Sequence, residues 1–236
     1  MSAYDELGPL YDAWCRSVTE DVGFYVQLAV ESGGPVLEIG VGSGRIAVPT
    51  ALAGVRVVGI DTSLTMLELT RQRAEALELP IEVHEADMRA LPDLGAFPLV
   101  TIPFRALLHL RDDDERRRVL TAAGERLEPG GRLAFDVFHP DHRDIAETHD
   151  RWLEREPGIH ERADWRPEER ALTLTVRSGG TDAAMELWWV DPPDWRRLLR
   201  AAGFDAIESY GWFDRRRLRP GSSDSVWIAS RRVGPG

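Results

Sequence analysis

Between residues 36 and 138, short runs that are apolar almost throughout alternate with amphipathic stretches of helical length, and this rhythm restricts the fold more than any other feature. Val36-Leu37-Glu38-Ile39 is the first such run, and Arg45 to Ala53 reads as a helix after it. Val55 to Ile60 is the second run, closed by Asp61; Thr62 or Ser63 can cap the next helix, which extends to about Leu77. Ile81 to His84, Phe97 to Pro103 and Arg132 to Phe138 complete the set. A helix from about Asp112 to Leu127, stopped by Glu128-Pro129-Gly130-Gly131, stands before the last of these runs. A strand that faces water on one side alternates apolar with polar residues; runs like these must be covered on both faces. That is the pattern of a parallel sheet with helical crossovers, and right-handed crossovers make it a doubly wound α/β fold.

Two other regions flank this unit. In the first 35 residues, Leu7, Leu10, Tyr11 and Trp14 recur at helical spacing, as do Val22, Tyr25, Val26 and Val30, so a helical cap of two helices is expected. Residues 139–190 break the rhythm. Ile159 to Ala163, Ala171 to Val176 and Met185 to Val190 read as antiparallel strands joined by turns, forming a lid-like insertion. From 191 to 236 the α/β pattern returns. Pro192-Pro193-Asp194 opens a helix with Trp195, Leu198, Leu199 and Ala202 on its apolar stripe, and closing strands follow over Ala206 to Tyr210 and Val226 to Ser230.

Charge narrows the partners. A formal net charge of −11 repels phosphate on average, which argues against nucleic acid and anionic membrane surfaces. No apolar run reaches bilayer-spanning length. The lone cysteine, Cys15, suits a reducing cytoplasm and reads as a small buried hydrophobe. Every basic residue is arginine. Without lysine, Schiff-base and pyridoxal-phosphate chemistry are excluded.

The chemistry concentrates in Glu38-Ile39-Gly40-Val41-Gly42-Ser43-Gly44-Arg45. Alternating glycines between a strand and a helix permit a tight turn and close approach of a ligand. Glu38 stands two residues before the first glycine, where a pyrophosphate would be repelled and a ligand bearing ammonium and sulfonium groups attracted. The Gly40-x-Gly42-x-Gly44 spacing also departs from the dinucleotide form. Asp61, seventeen residues beyond Gly44, can accept ribose hydroxyls, and Asp87 can accept an adenine amino group. Each acid has a bland reading as a strand-end or capping residue. Three of them at successive strand ends fall on the edge where open α/β sheets bind ligands.

This stretch resembles motif I of the class I S-adenosylmethionine-dependent methyltransferases. Asp61, Ala86-Asp87-Met88 and the segment Leu127 to Leu133 are similar to that family's later positions. The resemblance implies a doubly wound, mainly parallel seven-stranded sheet with its last strand antiparallel, decorated by the N-terminal helices and the antiparallel insertion. It implies S-adenosyl-L-methionine as cofactor, with Glu38 and the glycines on the methionine part, Asp61 on ribose, and Asp87 with Met88 on adenine. Arg45, Thr62, Met66 and Phe104 complete the expected cofactor set. The segment Thr101 to Leu110 is similar to that of sugar and other small-molecule N-methyltransferases. A histidine at the position of His109 and a tyrosine in the N-terminal helices, matched by Tyr11, line the acceptor site there.

His109, Tyr11 and Arg105 are therefore the expected catalytic residues, acting on the N or O of a small-molecule acceptor. Each has an alternative: His109 as a packed histidine among leucines, Tyr11 as part of an apolar stripe, Arg105 as the partner of an acid. Trp188, Trp189, Trp195 and Trp212 read as core or lid packing or as an aromatic pocket, and Arg215-Arg216-Arg217 as a solvated turn. His139, His142 and His149 have no compact ligand spacing, so no metal is expected. A nicotinamide-dependent reductase and a non-catalytic module of the same fold are the rival functions, and the insertion is equally suited to a homodimer surface.

Overall fold

The structure is a computed structural model and describes residues 3–231. Residues 232–236, expected at the end of the cofactor-binding unit, lie outside the described residues. The apolar runs form strands β1 (Val36–Ile39), β2 (Val57–Asp61), β3 (Ile81–Glu85), β4 (Phe97–Ile102) and β5 (Leu127–Phe138). Strands β6 (Trp152–Glu156), β7 (Ile159–Arg166), β8 (Ala171–Ser178) and β9 (Thr181–Trp188) follow, and β10 (Ala206–Tyr210) and β11 (Asp224–Ser230) close the chain. The larger sheet has seven strands in the order β10-β11-β5-β4-β1-β2-β3, and β11 runs antiparallel to both neighbours. β1 is the hinge of this order. The chain proceeds outward through β2 and β3, then returns to place β4 on β1's other side. The strand ends at such a switch point diverge and leave a crevice.

Helices α1 (Ala3–Trp14), α2 (Glu20–Ser32), α3 (Ala47–Leu52), α4 (Leu64–Ala76), α5 (Asp113–Glu125), α6 (His142–Thr148) and α7 (Pro192–Ala201) complete the chain. Leu37, Ile39, Ile60, Val100, Ile102 and Phe135 lose all contact with water between the helical layers. Each such side chain contributes about 1.5–3 kcal/mol on burial. The α4 cap is Ser63, whose hydroxyl accepts from the Met66 N–H at 3.3 Å.

The N-terminal cap is fastened to the sheet by polar links. Ser43 donates to Asp12 at 2.7 Å, Ser63 donates to Asp5 at 2.6 Å, and Arg73 pairs with Asp12. α1 lies so close to α4 that a Cβ on Gly8 would come within 2.5 Å of Thr65 Cγ2. The cap therefore sits directly over the glycine loop.

The structure corrects several boundaries. α3 begins at Ala47, not Arg45. β5 begins at Leu127, so Glu128 to Gly131 form a bulge within the strand instead of a turn before it. Phe97 pairs with Leu127 and Leu99 with Arg132, which leaves the extra residues looped out between them. The insertion has four strands, not three. Trp152–Glu156 lacks the alternation that marks a strand because it is an edge, paired only with β7. A further difference is α6, a short helix within the stretch that breaks the rhythm, with Asp141 and Asp144 forming a capping box at its start.

Candidate active site

The loop after β1 owes its shape to its glycines. Gly40, Gly42 and Gly44 have φ of 77°, 54° and 84°, values that side-chain-bearing residues rarely adopt. A Cβ on Gly40 would also stand 3.2 Å from Ala106 Cβ. The Gly40 and Val41 N–H groups both donate to the Ile60 carbonyl, so the turn is stitched to β2. Gly42 N–H donates to Asp61 Oδ2 and Ser63 N–H to Asp61 Oδ1, both at 2.9 Å. Asp61 is thereby fixed at the tip of β2. Burial raises its pKa, and these backbone bonds oppose the rise.

Asp61 lines a cavity of about 350 Å³ over the ends of β1, β2 and β4. Gly40 and Gly42 form one wall, Thr62, Met66 and Met88 another, and Asp87 stands at the rim, about two-fifths exposed. Phe104 closes the side towards β4. It and Arg105 are consecutive residues in the left-handed region, with φ of 52° and 64°. The Phe104 N–H donates to buried Asp136 at 2.8 Å, and the Tyr25 hydroxyl donates to the same oxygen at 2.7 Å. Burial lifts the Asp136 pKa to about 6. A buried acid thus holds a strained turn in place where the cavity ends.

A second cavity, of about 520 Å³, lies between the cap and the smaller sheet. It shares Tyr4, Phe104, His109 and Met185 with the first. Trp14, Phe138, Trp165 and Trp212 give it aromatic walls, while Glu161 and Asp224 bring carboxylates. Glu161 accepts from Trp14 Nε1 at 2.9 Å, and Asp224 is paired with Arg105 at 2.8 Å. At the junction of the cavities the Tyr4 hydroxyl lies 2.8 Å from His109 Nε2 and 3.6 Å from Met185 Sδ. Burial pushes the His109 pKa down to about 4, against a hydrogen bond with the Glu186 backbone that favours the protonated ring. The imidazole is neutral at neutral pH.

Of the residues expected from sequence, the structure gathers Tyr11, Gly40, Gly42, Asp61, Thr62, Met66, Asp87, Met88, Phe104 and His109 around the first cavity. It places Arg105 in the second. Glu38, Gly44 and Arg45 line neither. Arg45 turns away to grip buried Asp21 through two hydrogen bonds of 2.8 and 2.6 Å, and its guanidinium stacks 4.4 Å from the Phe104 ring centroid. Glu38 is buried with no side-chain hydrogen bond among the described residues. Burial raises its pKa to about 8, with Arg45 opposing. Tyr4, Met185 and Glu186 were missed. Tyr4 precedes the apolar stripe of α1 by one turn, a weak signal; Met185 and Glu186 carry no motif.

A nucleoside-sized cavity at a switch point, a side-chain-free loop and an acid held at the next strand tip define an adenosine-binding Rossmann-like fold. A family model described as a methyltransferase domain matches residues 36–131. The chain is 30% identical over 204 residues to a demethylmenaquinone methyltransferase of Renibacterium salmoninarum, covering 80% of each protein. It is 25% identical to a cypemycin N-terminal methyltransferase from a Streptomyces species, over 86% of this chain and 87% of that one. A 33%-identical Geobacillus relative is matched over only 50% of its length. Among solved structures, the CcbJ methyltransferase from Streptomyces caelestis superposes with a TM-score of 0.87 at 25% identity, covering 99% of both chains. The chain belongs to the class I S-adenosylmethionine-dependent methyltransferases, and S-adenosyl-L-methionine is its cofactor.

The residues present fit that cofactor. Asp61 is a carboxylate held in place at the cavity wall, where it could accept from ribose hydroxyls, and Met66 and Met88 line the same cavity with apolar side chains that would suit a flat base.

Proposed function

We propose that this enzyme methylates the nitrogen of a small-molecule amine held in the second cavity. The observation that carries the reading is the make-up of the junction. Only Tyr4, Phe104, His109 and Met185 line both cavities among the described residues, so the transferred group must pass between them. None is a strong base: the imidazole pKa is near 4, and burial raises that of the Tyr4 phenol well above its ordinary value. Such a junction is poorly equipped to deprotonate an alcohol. A neutral amine already presents its lone pair and needs positioning more than proton abstraction.

When bound, S-adenosyl-L-methionine supplies an electrophilic methyl group on a positively charged sulfur. Asp61 and the glycine loop would hold the adenosyl end, with Asp87 and Met88 at the base and Glu38 answering the methionine ammonium. The Tyr4 hydroxyl and His109 would orient the acceptor nitrogen, with Phe104 and Tyr11 excluding water. Arg105, held by Asp224, would shape the acceptor side. In this reading the α1–α2 cap and the four-stranded insertion form a lid closing over the acceptor. No helix among the described residues is long and apolar enough to cross a membrane, and a cytoplasmic site of action suits the single buried thiol.

Support for an amine also comes from the cypemycin enzyme, named for methylation of an N-terminus. The test is a panel of aryl and alkyl amines, phenols and alcohols incubated with methyl-labelled cofactor. Label on nitrogen is expected. The kcat/KM should rise with pH following each amine's own pKa, with no inflection near 6.5, because burial holds the His109 pKa down at about 4. Transfer to hydroxyl oxygen alone, or an enzyme-borne inflection near 6.5, would overturn the reading.

A further inference from the structure

The loop between β10 and β11, residues 211–223, concentrates positive charge in a chain whose acids outnumber its bases by 40 to 29. Arg215, Arg216, Arg217 and Arg219 fall within five residues of one another. The loop is ordered by its own bonds: Tyr210 bridges to Arg217, the Gly211 N–H donates to the Arg216 carbonyl at 2.8 Å, and the Arg219 N–H donates to Ser222 Oγ at 3.2 Å. A groove of about 630 Å³ runs along it, lined by Arg216, Arg217 and Arg219.

The arginines differ in how they are engaged. Arg215 reaches Glu31 at 3.8 Å, and Arg216 stands 3.7 Å from Asp214 with its guanidinium over the Trp212 ring. The guanidinium groups of Arg217 and Arg219 have no carboxylate or hydrogen-bond partner among the described residues. The acid on the groove wall, Asp224, is already taken by Arg105. Two forked cation heads thus line an open groove with no carboxylate paired to them, and forked guanidinium groups match the oxygens of a phosphoryl group.

The groove adjoins the second cavity: Trp212, Ser223 and Asp224 line both. We propose that the groove binds a phosphate or diphosphate carried by the methyl acceptor itself, while the acceptor's other end enters the aromatic cavity. This rests on the reading of that cavity as the acceptor site. An extended polyanion such as nucleic acid is a poor occupant, because the remaining surface of a chain of net charge −11 repels it. A compact anion tethered to a ring-bearing body meets both surfaces at once.

The test is calorimetry on the full chain saturated with S-adenosylhomocysteine, titrated with inorganic phosphate and with phenyl phosphate. Phenyl phosphate is expected to bind about tenfold more tightly than phosphate, since its ring enters the aromatic cavity. The double variant Arg217→Ala, Arg219→Ala should weaken both by about tenfold or more, leaving S-adenosylhomocysteine affinity and Tm unchanged. Absence of binding by either anion, or equal binding by wild type and variant, overturns the proposal. Equal affinities for the two probes would separate the groove from the acceptor cavity and also overturn it. The cofactor assignment is read independently, from the S-adenosylhomocysteine titration.

Discussion

The two cavities, proposed above for cofactor and acceptor, share His109 yet are built differently. The first takes its polar groups from the tips of hydrogen-bonded neighbouring strands: the glycine loop after β1, Asp61 ending β2 and Asp87 just past β3. Backbone bonds fix each group, so the site is formed by the fold itself. The second takes its walls from α1, the turn after β4 and the smaller sheet, parts joined by side-chain bonds such as Trp14 to Glu161 and Tyr4 to His109. Pre-organisation in the backbone suits a ligand common to a whole family. Side-chain walls on separate elements suit an acceptor that differs from one member to the next.

The difference can be sharpened first at Glu38, where the largest effect is expected. Its folded pKa of about 8 lies above the ordinary carboxylate value of 4.5, so burial costs the folded state progressively more as pH rises from 4.5 to 8. Glu38→Gln should therefore stabilise the cofactor-free protein at pH 8 by on the order of a few kcal/mol, raising Tm by roughly 5–10 °C, with little gain at pH 4.5. The same variant should bind S-adenosylhomocysteine more weakly. A Tm gain equal at both pH values would contradict the assignment of a titrating buried carboxylate. Next comes Asp61→Ala, which removes the proposed ribose acceptor and strands the Gly42 and Ser63 N–H groups; cofactor affinity should fall about 100-fold by calorimetry.

Effects confined to the other cavity should be smaller and of another kind. Tyr4→Phe removes the hydroxyl beside His109 and is expected to lower kcat about tenfold with cofactor affinity nearly unchanged, as measured by steady-state kinetics and titration. Asp87→Ala should be mildest on the cofactor side. Its carboxylate is about two-fifths exposed and already engaged by Arg89, so a loss of about threefold in cofactor affinity is expected.

The same contrast explains what could be read from the sequence. Strand tips adjacent in the sheet are spaced regularly along the chain, so Gly40, Asp61 and Asp87 are legible there, as are the doubly wound class and the antiparallel last strand; the strand order itself comes from the structure. Arg45 was misplaced because proximity to a motif does not fix where a long side chain goes. Buried Asp21, twenty-four residues earlier, draws it away from the cavity. Tyr4 was overlooked in favour of Tyr11 because both lie on α1, and only the packing of α1 against His109 distinguishes them. Met185 and Glu186 reach the junction through the register of β8 against β9, a long-range pairing with no local mark.

The division of labour is tested most directly by titrating S-adenosylhomocysteine into wild type, Asp61→Ala and His109→Ala side by side. An affinity lost in the first variant by about 100-fold and preserved in the second, whose turnover nonetheless falls, is the expected result. Equal losses in both variants, or none in Asp61→Ala, would contradict it.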